Sequence, residues 1–185
     1  MKIVIVSAST RHGRLTHQAA LGLHHVLEKS PDITLEILDL KEKVLPHFDE
    51  ALSKQAHPMT VVNEVYTILH GADAFLFVTP EYNGSYSAAL KNMVDFFPKT
   101  TFSKKAIGIV TVSSGAMGGM RAAMQLQQLI LALWAIPSPQ MLLISNVQEK
   151  FSESGLLLDA SFEKTITHFL HEFIWLGKAL KNARV

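Results

Sequence analysis

Short apolar runs along this chain alternate with longer segments in which apolar residues recur every three or four positions. Each short run is rich in β-branched or aromatic residues and has little polar interruption. This is typical of a strand covered on both faces of a parallel sheet. The pattern predicts five strands, at residues 3–6, 33–40, 74–79, 106–112 and 141–145.

The longer segments between these runs show helical periodicity. They predict five helices, marked by apolar positions within residues 19–27, 61–69, 90–97, 120–136 and 162–173. Strands that alternate with helices form parallel sheets through right-handed crossovers. We therefore expect one α/β domain over residues 1–185, a three-layer sandwich around a five-stranded parallel sheet. In such sheets, ligands bind beyond the carboxyl ends of the strands, which directs attention to the loops after strands one, three and four.

The loop after the first strand reads "SASTRHGRLT" (residues 7–16). Hydroxyls and guanidinium groups that stand beside the unpaired amides of a helix start form an anion cradle. Ser9, Arg11 and Thr16 are the predicted phosphate contacts, with Arg14 behind them. The alternative is a solvated loop in which Thr16 caps the helix and both arginines face water.

The loop after the third strand reads "TPEYNGSYSAALKN" (residues 79–92). Asn83 and Gly84 favour a turn with positive φ, and Ser85 is predicted to cap the following helix. Gly84 allows the backbone close to a flat ligand, and Tyr82 adds an aromatic face. These features favour a planar heterocycle, although a tight turn with a capped helix would explain part of them.

The loop after the fourth strand begins "SSGAMGGM" at Ser113. Ser113, Ser114 and Gly115 would present small polar groups to the same ligand. Farther on, residues 126–137 are apolar nearly all round, whereas a surface helix normally keeps a polar face. We expect this helix to be covered by a second subunit, with deep burial inside one chain as the alternative.

Composition narrows the possible functions. The 185 residues include 17 basic and 16 acidic side chains, for a net charge of +1, so nucleic acid is not an expected partner. The absence of cysteine excludes disulfides and thiolate sites and fits a cytoplasmic location. The longest apolar run, at residues 129–136, is too short to span a bilayer.

His168 and His171 could share a helix face, but no third ligand with clear spacing accompanies them, so no metal site is predicted.

Three motifs together resemble the NADPH-dependent FMN reductases, a flavodoxin-like family that includes azoreductases and chromate or quinone reductases. The first is "TPEYNGS" followed by "LKN" and "DFF", and the second is "GGMRAAMQLQQLI". The third is the first loop, where Ser9, Arg11 and Thr16 match the family pattern and Ala8 replaces its usual glycine. Residues 86–88 (Tyr-Ser-Ala) depart from a more common isoleucine-proline-glycine, which alters the edge of the substrate pocket.

The resemblance implies the strand order 2-1-3-4-5, bound FMN and NADPH or NADH as co-substrate. It also implies hydride transfer to FMN and onward reduction of free flavin, a quinone or a similar acceptor, with no obligatory catalytic side chain. A homodimer or homotetramer with the 120–136 helix in its interface is expected. A flavodoxin-like electron carrier and a non-catalytic flavin-binding protein are the alternatives. The implied cofactor-binding residues are Ser9, Arg11, Arg14, Leu15, Thr16, Pro80, Glu81, Tyr82, Asn83, Gly84, Ser85, Ser113, Ser114 and Gly115.

Overall fold

Five strands form one parallel sheet in the order β2-β1-β3-β4-β5, as predicted. The computed structural model of the protein describes residues 1–184. The strands are β1 (Lys2–Ser7), β2 (Thr34–Asp39), β3 (Ala74–Pro80), β4 (Ala106–Val112) and β5 (Ile136–Ile144). The order reverses between β1 and β3, so the crevice for a ligand lies where β1, β3 and β4 end.

Helices cover both faces of the sheet. They are α1 (Leu15–Leu27), α2 (Thr60–His70), α3 (Ala88–Phe96), α4 (Met120–Ala132), α5 (Val147–Lys150) and α6 (Glu163–Ala183). One core cluster joins α2, α3 and α4 to the sheet, and a second joins α1, α5 and α6 to its other face. This is the predicted three-layer sandwich.

The central strands are the ones that the apolar runs predict best. Every residue of β3 and β4 is buried, because helices cover both faces of these strands. The edge strand β2 is only partly buried, which explains why polar residues interrupt its sequence. Burial on both faces therefore accounts for the unbroken apolar runs.

The prediction of a helix through residue 136 was wrong. Helix α4 ends at Ala132, Trp134 takes a positive φ of 60°, and Ile136 already begins β5. The helix ends where Trp134 takes the left-handed conformation, and Pro137 keeps a helix from resuming, because proline disfavours helical backbone at the residue before it and cannot donate a helical hydrogen bond. The long apolar run is the end of a helix followed by the start of a strand, so β5 begins five residues earlier than predicted.

Large apolar side chains remain exposed along α4 and in the segments just before and after it. They are Met117, Met120, Met124, Leu131 and Trp134. We call these five residues the α4 strip. Within residues 1–184, no helix combines the length and apolarity needed to cross a membrane. His168 contacts Gln140 through its Nε2 at 2.6 Å, and no metal-holding group of three His, Asp or Glu residues occurs in the described chain.

Candidate functional site

The loops after β1, β3 and β4 meet in a cleft of about 250 Å³ at the carboxyl edge of the sheet. The first loop contributes all five of its predicted residues, Ser9, Arg11, Arg14, Leu15 and Thr16. The other two loops contribute Pro80, Glu81, Tyr82, Ser113 and Ser114. The remaining predicted residues, Asn83, Gly84, Ser85 and Gly115, do not line this cleft.

The first loop leaves its backbone amides available. The amides of residues 9–13 donate to no acceptor among the described residues 1–184. Helix α1 begins after Arg14 with no side-chain cap, so its first amides also lack a partner. Residues 10–13 are exposed and Ser9 is buried, so a ligand in the cleft can reach these amides, and a phosphate at a helix start accepts from several amides at once. The loop therefore has the donor set of an anion site.

Two contacts join the first loop to the second. Ser9 Oγ and Tyr82 Oη share a hydrogen bond of 3.2 Å, and the Arg11 guanidinium lies 5.7 Å from the centre of the Tyr82 ring. Ser9 is buried, whereas Arg11 is exposed and can turn its charge toward a ligand. The cleft therefore has a fixed hydroxyl beside a movable positive charge.

Arg14 holds the first loop from behind. Its guanidinium forms a two-pronged ion pair with Asp39, the last residue of β2, and its Nη1 donates to the Ser9 carbonyl oxygen at 3.0 Å. The two charged side chains are only 11% and 13% exposed. This bidentate geometry fixes the guanidinium plane and, through Ser9, the backbone that faces the cleft.

The surroundings of Asp39 keep it ionised. Burial alone would raise the pKa of Asp39, but hydrogen bonds from Arg14 and from the Lys41 amide lower it below its ordinary value of 3.8. His17 lies nearby, with Nδ1 at 3.1 Å from Ser7 Oγ and 3.6 Å from Asp39 Oδ2. Burial lowers the pKa of His17 despite the attraction of Asp39. The Arg14–Asp39 pair is thus the charged centre of this network.

The second loop contains the predicted turn. Tyr82 and Ser85 exchange backbone hydrogen bonds of 2.8 and 3.1 Å, and Asn83 and Gly84 between them have φ values of 51° and 81°. The expectation that Ser85 caps the next helix was wrong. Ser85 Oγ donates to Gln125 instead, and Ser87 is the cap that accepts from the Leu90 amide. Because residue 85 pairs within the turn, the helix cannot begin until the chain has left it.

Ser87 also ties the first two loops together. Its hydroxyl donates to the Ala8 carbonyl oxygen at 2.5 Å, and its amide donates to Thr79 Oγ1 at 3.0 Å. The Ala8 amide in turn donates to Val78 in β3. The substitution of serine in the Tyr-Ser-Ala segment therefore supplies a buried crosslink between the loops that form the cleft.

The third loop closes the cleft beside β4. Gly118 and Gly119 turn into α4 with φ values of 60° and 82°, and Thr111 Oγ1 donates to the Gly118 carbonyl oxygen at 2.8 Å. Ser113 Oγ accepts from the Gly115 amide at 3.0 Å, which shapes the loop around Gly115 without placing that residue in the cleft. Ser114 lines the cleft and is exposed.

Four lining residues were not predicted, namely His12, Gly13, Val112 and Val147. His12 and Gly13 lie inside the first loop, so their inclusion could have been expected from its length. Val112 ends β4, and Val147 comes from α5, which the sequence pattern did not predict. Asp39 was also missed, since only the fold brings the end of β2 against Arg14.

The donor set of the cleft fits a phosphorylated ligand. Unpartnered amides, a buried serine hydroxyl and an exposed arginine lie together on the first loop, and the aromatic side chain of Tyr82 lies directly beside them. These features together match FMN, whose phosphate and flat ring need an anion site and an open slot. The fold and the three loops thus define a flavodoxin-like, nucleotide-binding α/β protein.

Comparison with known proteins gives the particular family. Residues 1–149 match the family model described as NADPH-dependent FMN reductase, and the chain belongs to this family. An NAD(P)H-dependent FMN reductase of Pseudomonas aeruginosa is 30% identical over 96% of both chains. A quinone reductase of Pseudomonas putida is 30% identical over 85% of this chain and 84% of its own.

Solved structures show the same fold. The flavoenzyme NAD(P)H:acceptor oxidoreductase FerB of Paracoccus denitrificans superposes with a TM-score of 0.77, covering 96% of this chain and 97% of its own at 23% identity. The protein is therefore an NAD(P)H-dependent flavin oxidoreductase with FMN as cofactor, as the resemblance implied.

Proposed function

We propose that the first loop binds the FMN phosphate. The unpartnered amides of residues 9–13, the Ser9 hydroxyl and the Thr16 position at the start of α1 support this assignment. Arg11 supplies the positive charge. Arg14 supports the loop, because its own charge is matched by Asp39. Leu15 contributes an apolar wall to the same end of the cleft.

The flavin ring is assigned to the slot between the second and third loops. Pro80, Glu81 and Tyr82 line one side, and Ser113 and Ser114 line the other. The turn at Asn83, Gly84 and Ser85 and the backbone at Gly115 would border the ring outside the measured cleft. When bound, FMN would accept a hydride from NAD(P)H and release electrons to an acceptor.

The protein's contribution is orientation and electrostatics. The cleft places hydroxyls and backbone groups at its rim and needs no side chain that moves a proton, because the cofactor provides the redox chemistry. If NAD(P)H and the acceptor use the same open face in turn, the kinetics are ping-pong. Free flavin and quinones are the acceptor classes suggested by the named relatives.

The assembly is proposed to be a homodimer or homotetramer. The α4 strip supports this, because five large apolar side chains lie exposed on α4 and in the segments on either side of it. Several large apolar side chains exposed close together in the chain are typical of a subunit interface. The interface would contain α4 as the structure bounds it, together with the start of β5. The cytoplasmic location stays a prediction.

An absorbance titration with FMN tests the phosphate assignment. Replacing Arg11 with alanine removes the exposed charge but leaves the Arg14–Asp39 pair intact, so we expect FMN affinity to fall about tenfold or more. Lys164→Ala, on the exposed start of α6, is the charge-matched control and should bind like the parent protein. Equal FMN affinity in the Arg11→Ala variant and the control would overturn the assignment.

A second measurement tests turnover. Protein loaded with FMN should lose its flavin absorbance when NADPH is added without oxygen and regain it when a quinone is added. Protein that holds FMN but does not bleach would be a flavin-binding protein without this activity.

A further inference from the structure

A second cavity lies beside the flavin cleft. It measures about 550 Å³ and is lined by the segment after β2 and by the start of α3. Thr10 lines this cavity, while its neighbours Ser9 and Arg11 line the cleft, so the first loop is the wall that the two spaces share. Nothing in the flavin assignment uses this second space.

The outer wall of the cavity is fixed by hydrogen bonds. Asn92 of α3 donates through Nδ2 to the Pro46 carbonyl oxygen at 2.7 Å and accepts from the Phe48 amide at 2.8 Å. At the other end of the segment, the Lys43 amide donates to the Asp39 carbonyl oxygen at 2.9 Å. Because both ends are held, the cavity exists before any ligand binds. This also explains what the asparagine of the "LKN" motif does.

The lining of the cavity combines positive charge with an apolar floor. Lys41, Lys43 and His47 supply the basic groups, and the floor is formed by Leu40, Val44, Leu45, Ala88 and Ala89. No acidic side chain lines it. Lys41 forms no ion pair with any residue in the described part of the chain. A ligand that suits this lining has a flat apolar ring and at least one phosphate.

The one ion pair at this cavity is easily exchanged. Lys43 pairs with Glu64 at 2.6 Å, but the two side chains are 41% and 47% exposed. Exposed pairs of this kind contribute little to stability, so Lys43 can turn toward a phosphate at small cost.

We propose that this cavity binds the adenosine 2′-phosphate half of NADPH, with Lys41 and Lys43 contacting the phosphate. The inference rests on the proposed function, since it assigns the part of the co-substrate that lies away from the flavin cleft. The shared loop supports it, because Thr10 lines this cavity and its chain neighbours Ser9 and Arg11 line the cleft, so the two halves of one dinucleotide would lie on either side of one loop. The lysines would then select NADPH over NADH, which lacks the 2′-phosphate.

Nucleotide preference tests the proposal through kcat/KM. In the Lys41→Ala/Lys43→Ala variant we expect kcat/KM for NADPH to fall about 100-fold, since each charged hydrogen bond lost is worth about tenfold. The value for NADH should stay within about twofold. Lys91→Ala is the control, because Lys91 lies on α3, which lines the cavity, but pairs with Asp95 and does not itself line the cavity.

Equal changes with the two nucleotides, or no change with either, would overturn the proposal. Calorimetry on the FMN-loaded protein gives a readout that does not need turnover. Adenosine 2′-monophosphate should bind the parent protein more tightly than adenosine 5′-monophosphate, and the double variant should lose this difference. Absence of binding by the 2′-nucleotide would contradict the assignment, as expected if a second subunit fills the cavity. Failure of the proposed function is distinguishable, since it would appear as an FMN-loaded parent protein that oxidises neither NADPH nor NADH.

Discussion

The two edges of the sheet differ in whether their polar groups have hydrogen-bond partners within the chain. At the amino edge, Asp73 accepts from the Lys2 amide and from Lys181 Nζ, both at 2.8 Å, and Arg184 donates to the Asp73 carbonyl oxygen. Lys105 is buried there and donates to the carbonyl oxygens of Leu69 and His70 at the end of α2. Each of these groups has a partner within the chain.

At the carboxyl edge, by contrast, the amides of residues 9–13 have no partner in the described chain, and the start of α1 has no side-chain cap. The polar groups that are paired at this edge, Arg14 with Asp39 and Ser87 with Ala8, hold the loops rather than fill the cleft. The comparison suggests that the amino edge serves stability and the carboxyl edge serves binding. Substitutions at the two edges should therefore have different effects.

The largest effect is expected at Asp39. Replacing Asp39 with alanine leaves the nearly buried Arg14 charge without its partner, and loss of one member of such a pair costs about 3 kcal/mol of unfolding free energy. The FMN dissociation constant should rise as well, because Arg14 holds the Ser9 carbonyl. Urea unfolding and an FMN titration measure the two effects.

Two further variants sharpen this test. Asp39→Ala combined with Arg14→Met removes both charges and should recover part of the lost stability. The parent protein's advantage over Asp39→Asn should be full above pH 3.8, the ordinary pKa of this carboxyl, and should shrink as the pH falls through its lowered pKa. An advantage that is the same at every pH would show that the ion pair does not stabilise the fold.

At the amino edge, Lys105 should make the unfolding free energy depend on pH in the alkaline range. Burial lowers its pKa from 10.5 to about 8, so between these values the unfolded chain binds more protons at this site than the folded chain does. The contribution of Lys105 to the unfolding free energy should therefore rise with pH over this interval, by about 2 kcal/mol. Denaturant unfolding of the parent protein and of Lys105→Met measures it as the difference between the two pH profiles. If the unfolding free energies of the parent protein and of Lys105→Met change equally with pH, the lowered pKa of Lys105 is contradicted.

Alanine substitutions at two glycines of the carboxyl edge, Gly13 and Gly119, distinguish the cost of a packing clash from the cost of backbone strain. Gly119 has φ +82°, and a Cβ there would lie 2.9 Å from Thr111 Cβ, whereas Gly13 has φ +59° with nothing within 4 Å. Gly13→Ala should cost about 1 kcal/mol from the left-handed backbone alone, and Gly119→Ala should cost about 2 kcal/mol because packing adds to it. Thermal unfolding compares the two, and equal losses would show that Thr111 moves aside.

The smallest effect is expected at the exposed part of the amino edge. Lys181 pairs with Asp73, and the Lys181 side chain is 44% exposed. Because exposed ion pairs contribute little, Lys181→Ala should lower the unfolding free energy by only about 0.5 kcal/mol. Its FMN dissociation constant should equal that of the parent protein. A changed FMN affinity in this variant would mean that the two edges are not independent.

The sequence predicts those parts of the fold whose cause is local. Strands β3 and β4 are buried on both faces, so their apolar runs are unbroken, and the Asn83-Gly84 turn needs the positive φ that these residues favour. The end of α4 was missed because an apolar run has the same appearance in a buried helix and in a strand. The prediction ended the helix at residue 136, directly before Pro137, and nothing in the apolar run marked the earlier end at Ala132.

The contacts that depend on distant residues could not be read from the pattern. Arg14 and Asp39 are 25 positions apart, and Ser87 and Ala8 are 79 apart, so only the parallel packing of β1, β2 and β3 brings them together. The first loop could be predicted as an anion site from the sequence because its hydroxyls and arginines are close together along the chain. The support behind it was not recognisable, since it comes from other strands.

The proposed phosphate site is tested most directly by comparing the affinities for FMN and for riboflavin, which carries the same ring without the phosphate. If the first loop binds the phosphate as proposed, fluorescence titration should show FMN bound at least about 100-fold more tightly than riboflavin. Equal affinities for the two flavins would contradict the central claim that the amides and Arg11 of the carboxyl edge form a phosphate site.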